Sequence, residues 1–108
     1  MDSSIPEGQR RACKRLIKRI LADSNVSISV FYGGGWAIKN SRNMKAILDG
    51  LGNTGIDDIH VWDYGYRVGW FSLVWFNEED GSTLISEHLD NEYCDAIFNK
   101  HQEFYNAT

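Results

Sequence analysis

His60, His88 and His101, the thiols Cys13 and Cys94, and the hydroxyl of Ser72 are the side chains whose types could do metal, proton-transfer or covalent chemistry. A zinc site needs ligands at short fixed spacings, such as two histidines at i and i+4 or a C-x-x-C pair, and neither occurs. No metal and no cofactor is therefore expected. Ser72 lies inside the apolar run Val68–Phe76, and Cys94 stands beside Asp95, whose charge holds a thiol protonated, so neither reads as an activated nucleophile. Asp63, with His60 and Tyr64 near it in sequence, is the most enzyme-like grouping, although residues at a strand end explain it as well. A small enzyme of unnamed reaction is the least developed reading, and no catalytic residue is assigned.

Recognition chemistry is better represented. All four tryptophans fall between Trp36 and Trp75. Trp62, Tyr64 and Tyr66 are flanked by Asp57, Asp58 and Asp63 on one side and by Glu78, Glu79 and Asp80 further on. Aromatic rings supply contact area at low entropic cost, and carboxylates around them speed association with a basic surface. These nine residues form the candidate protein-binding set, and the partner they imply is a protein with a basic surface. The net charge of −4 conceals an asymmetry: residues 1–50 carry nine Lys and Arg against four Asp and Glu, whereas residues 51–108 carry two against eleven. Arg11, Lys14, Arg15 and Lys18 are the alternative site, for nucleic acid. Bases and aromatics are segregated, however, and a polyanion would meet repulsion from the acidic half.

The elements that must position these residues follow from period and punctuation. Ser4 to Glu7 has S-x-x-E spacing and predicts a capping box for a first helix, with Cys13, Leu16, Ile17, Ile20 and Leu21 on one stripe and six basic residues elsewhere. Val26–Val30 alternates strictly and predicts a half-buried strand, turned back by Gly33-Gly34-Gly35 into Trp36–Lys39. A phosphate-cradling loop at these glycines lacks the Lys and the helix that such loops need. Asn40 or Ser41 caps a short second helix, and Ile59–Tyr64 forms a third strand that turns at Gly65.

Val68–Phe76 is the most continuously apolar stretch, placing Val68, Trp70, Ser72, Val74 and Phe76 on one face and Gly69, Phe71, Leu73 and Trp75 on the other. It is expected at the centre of the sheet, covered on both sides. Thr83–Ser86 reads as an edge strand, with a helix from Ser82 as the competing reading. Asp90 caps the last helix, with Leu89 and Cys94 as a staple. The expectation is a single α+β domain over residues 1–108, mainly an antiparallel sheet of four to five strands with helices on one face, in the order α-β-β-α-β-β-(β)-α. A two-faced strand and clustered tryptophans exceed what three helices, one of them short, comfortably cover, so a homodimer is expected, with cover shared by the first and last helices as the alternative. Cys13 and Cys94 lie on apolar helix stripes and read as buried free thiols suited to a reducing cytoplasm. No signal peptide and no membrane segment is read from the sequence.

Trp36-Ala37-Ile38-Lys39-Asn40-Ser41, then Val68–Asn77 followed by Asp80-Gly81 and Leu84–Asn91, resembles small phage- and plasmid-borne proteins of unassigned function. The resemblance covers roughly the last two thirds of the chain and omits the basic helix before Val26. It implies an accessory protein of a mobile element, a class that often acts by binding and blocking a host machine, including restriction or CRISPR immunity, in the host cell cytoplasm. It carries no active-site residue.

Overall fold

Alternation along each strand decides which side of the sheet the helices cover. The computed structural model describes residues 1–106, in which β1 (Val26–Phe31), β2 (Trp36–Ser41), β3 (Ile56–Asp63), β4 (Tyr66–Val74) and β5 (Ile85–His88) form one antiparallel sheet ordered β2-β1-β3-β4-β5. Helices α1 (Glu7–Leu21), α2 (Met44–Asp49) and α3 (Glu92–Asn106) pack on one face of it. Val26, Ile28 and Val30 of β1, Ile59 and Val61 of β3, and Phe71 and Leu73 of β4 are buried against Leu16, Ile17 and Ile20 of α1, Ile47 of α2 and Cys94 and Ile97 of α3. Each such large apolar side chain contributes about 1.5–3 kcal/mol on leaving water. The α+β order agrees with the sequence expectation, and the segment 85–88 is an edge strand rather than a helix.

The expected cover of Val68–Phe76 on both sides is corrected. The strand runs from Tyr66 to Val74 and is the fourth in the sheet, with β3 at its centre. It ends early because Trp75 donates its backbone N–H to Gly55, while Phe76 takes φ 66° and gives its N–H to the side chain of Gln9. Gly69, Phe71, Leu73 and Trp75 lie under the helices, and Val68, expected on the other face with Trp70, is inserted by a bulge and packs against the same core; Trp70, Ser72 and Val74 stay half-buried on a face that no described helix covers. The reason is supply. Two helices of 15 residues and one of 6 each have one apolar stripe, and all three stripes are used in a single layer.

Local chemistry sets where the helices begin, one to three residues from where the sequence places them. The Ser4–Glu7 capping box is not formed: Ser4 donates its N–H and hydroxyl to Asp2 (2.9 and 2.8 Å), and Pro6 occupies the cap position. Asn43, not Asn40 or Ser41, caps α2 by accepting from Ala46 N–H at 3.0 Å, a contact of about 1 kcal/mol. Asn91, not Asp90, accepts from Cys94 N–H at 2.8 Å and also donates to the Val68 carbonyl at 3.0 Å, so this cap ties α3 to β4. Gly69 allows that approach, since a Cβ there would stand 2.7 Å from Cys94 Sγ and 3.1 Å from the Tyr93 ring. Both cysteines are buried and free; burial pushes the Cys13 thiol up to about 12 and raises that of Cys94. Among the described residues no helix is long and apolar enough to cross a membrane.

Candidate functional site

The uncovered face of the sheet gathers the aromatic and ionisable residues of four strands into rows fixed by register. Ser27, Trp62 and Arg67 form one row, Ser29, His60 and Trp70 the next, and Phe31, Asp58, Ser72 and Glu87 a third. Arg67 joins the first row because a bulge opposite Val61 and Trp62 inserts Val68. Trp36 folds over from β2 and packs edge-on to Phe31 and to His60, with ring centroids 5.3 and 5.2 Å apart.

Two clefts open on this surface. One, of about 310 Å³, is lined by Asp58, His60, Arg67, Trp70, Ser72 and Glu87. The other, of about 210 Å³, lies between Trp36 and Trp62 over Ser29, with Lys39 and Asn40 at its rim. Ser72 donates its hydroxyl to Asp58 at 2.5 Å, and Arg67 Nη1 approaches His60 Nδ1 to 3.5 Å. Burial lowers the pKa of His60, the Arg67 charge lowers it further, and Asp58 opposes both. Neutral imidazole is thus the favoured form at pH 7. The indole N–H of Trp62 is buried without a hydrogen-bond partner among the described residues.

The candidate protein-binding set divides four ways. Trp62 and Asp58 lie on the open face, and Tyr64 and Tyr66 stand out from the β3–β4 turn at 83 % and 78 % exposure, with Asp63 at its base. Glu78, Glu79 and Asp80 occupy the β4–β5 connection at the opposite end of β4. Nine residues of strand, about 30 Å at roughly 3.3 Å each, separate them from the tyrosines. That connection is bound into the fold: Gln9 donates to the Glu78 carbonyl at 2.9 Å, Tyr105 to the Asp80 carbonyl at 2.7 Å, and buried His101 Nε2 to the Gly81 carbonyl at 3.2 Å.

Asp57 is not a rim residue. It is 1 % exposed on the helix side, where one carboxylate oxygen accepts from Gly52 N–H and from Trp75 Nε1, each at 2.8 Å. Its other oxygen is buried without a partner, and burial raises its pKa although both hydrogen bonds oppose the rise. The residue ties the α2–β3 connection to the end of β4, which is a structural duty.

The enzyme-like grouping also separates, because alternation places Asp63 on the opposite face from His60. Ser72 is on the open face rather than inside a covered strand, and its proton is directed at a carboxylate. Among the described residues no three His, Cys, Asp or Glu are placed to hold a metal. The basic alternative is partly occupied: Arg11 pairs with Glu7 at 2.9 Å, while Arg15 lies 3.7 Å over the Phe104 ring and donates to Tyr105 at 2.8 Å. Lys14 and Lys18 remain exposed on the outer face of α1.

Phe31, Trp36, His60, Trp70, Arg67 and Glu87 belong to the open face and were outside the sequence-derived set. Strand parity could have found Trp70, since it shares a face with Ser72; only pairing could add Arg67 and Glu87. Comparison of the chain with family models, curated proteins and solved structures finds no match.

Proposed function

We propose that this chain is a protein-binding domain whose recognition surface is the open face of its sheet. The observation that carries the reading is the composition of that face. Trp36, Trp62, Trp70, Phe31 and Arg67 are of the types that dominate binding energy at protein interfaces, and they stand on a rigid sheet with polar groups between them. With neutral His60, the cations Lys39 and Arg67 are balanced by the anions Asp58 and Glu87. Such a face suits a protein of mixed charge better than a nucleic acid, which would require a cationic surplus. The partner expected from sequence, with a basic surface, is thereby replaced by one carrying both signs. The resemblance of residues 36–41 and 68–91 to phage- and plasmid-borne proteins adds a setting, a cytoplasmic accessory protein that acts by binding and blocking a component of host defence.

Photo-crosslinking in producing cells tests the surface. A photoreactive phenylalanine analogue in place of Trp62 is expected to give protein adducts, and the same analogue in place of Lys18 to give none. Nucleic-acid adducts, or protein adducts from the Lys18 position alone, would overturn the reading in favour of the basic helix.

A further inference from the structure

Resting on the open sheet as a protein-binding face, we infer that its partner is a second copy of this chain, packed face to face about a twofold axis crossing the strands along the Ser29–His60–Trp70 row. An isologous contact requires one patch to carry both halves of every pairing, and the strand register supplies them. The row Ser27–Trp62–Arg67 lies on one side of the axis and the row Phe31–Asp58–Ser72–Glu87 on the other. Each is displaced by two residues of β3, about 7 Å at roughly 3.4 Å per residue. Rotation about the middle row therefore lays each outer row of one copy on the other outer row of its partner.

Charge and shape become satisfied together. Arg67 comes down over the partner's Ser72, between the partner's Asp58 and the partner's Glu87, and the second copy repeats the contact. Within one chain, among the described residues, none of Arg67, Asp58 and Glu87 has an oppositely charged side chain within 4.0 Å. Trp62 comes to lie over the partner's Asp58, a large ring against a short side chain. Small Ser27 meets the partner's large Phe31, and on the axis the two Trp70 rings meet in an offset stack.

The footprint is small: five strands about 4.8 Å apart and about six residues long present about 24 × 20 Å, below the roughly 800 Å² that each partner contributes to a standard interface, so the dimer is expected to be weak. Aligned face-to-face packing of twisted sheets is an ordinary solution for two such surfaces.

Charge exchange tests the pairing. Sedimentation equilibrium up to about 100 μM, above the roughly micromolar Kd at the weak end of standard-size interfaces, is expected to show a dimer for the wild type. Arg67→Glu and Glu87→Arg should each sediment as folded monomers, with unchanged far-UV circular dichroism, because each sets like charges against one another. An equimolar mixture of the two variants should dimerise again, since one of the two contacts is then wild type and in the other the charges at positions 67 and 87 are opposite once more. A monomeric wild type, single variants that stay dimeric, or a mixture that stays monomeric would overturn the inference. Photo-crosslinks from the Trp62 position separate the two levels. Adducts at twice the chain mass support the second copy, whereas adducts only to a different protein remove the second copy and leave the binding face standing. Absence of protein adducts removes both.

Discussion

The two faces of the sheet are made by the same strands and differ in every respect that alternation can control. The helix side carries Val26, Ile28, Val30, Ile59, Val61, Phe71 and Leu73, each 1 % exposed or less. The open side carries Ser27, Ser29, Asp58, His60, Trp62, Trp70 and Ser72 from those same strands. Aliphatic chains gain most from permanent close packing, and they lie where the helices exclude water. Imidazole, hydroxyls and carboxylates keep hydrogen-bonding groups that water satisfies when the face is free and that a partner satisfies when it is covered. One face is built to be buried for the life of the fold, and the other to be buried on encounter.

The strongest way to break this comparison is to cut adjacent residues on opposite faces. Phe71→Ala should cost about 3–5 kcal/mol in urea denaturation, the usual loss for a core ring. Trp70→Ala, measured dilute enough to keep the chain monomeric, should cost less than about 1 kcal/mol, near the range for surface positions. Equal losses would mean that the open face is also core.

A smaller effect probes how α3 is seated on the covered side. Gly69→Ala pushes a methyl group into Cys94 Sγ and the Tyr93 ring, and should lower stability by about 1–3 kcal/mol in thermal melts. An unchanged melting temperature would show that α3 does not approach β4 as described.

The smallest expected effect concerns Asp57, whose carboxylate is buried on the covered side. Burial raises the pKa of Asp57 above its ordinary 3.8, so the native state binds its proton more tightly than the unfolded chain does. Stability from this group is greatest below that ordinary value, declines as pH rises through the raised folded value, and is level above it. Asp57→Asn resembles the neutral form. It should melt above the wild type at pH 7, with the difference closing as the pH falls toward 3.8. A variant that melts lower at pH 7 would show that the ionised carboxylate is favoured there by Gly52 and Trp75.

The sequence alone determined the element types and their order except at residues 82–89, where strand and helix periods both fit, because hydrophobic period, the glycine turns and apolar run lengths are local properties. The β1–β2 and β3–β4 hairpins, the amphipathic α1 and the buried free thiols were legible in this way. Exact caps were less so. Ser4, Asp90 and Asn91 each have capping chemistry, and the choice among them depends on neighbours such as Asp2 and the Val68 carbonyl.

Only the tertiary structure decided the site. Adjacent residues of a strand face opposite ways, so Asp57 and Asp58 entered the candidate set together and separated into core and surface. Glu78, Glu79 and Asp80 are a few residues from β4 in sequence, but an extended strand carries them far from Tyr64 and Tyr66. Conversely, pairing across four strands brought together Phe31, His60, Arg67 and Glu87, which no local pattern associates. Which face would remain uncovered was likewise non-local, since it depended on all three helices taking the same side.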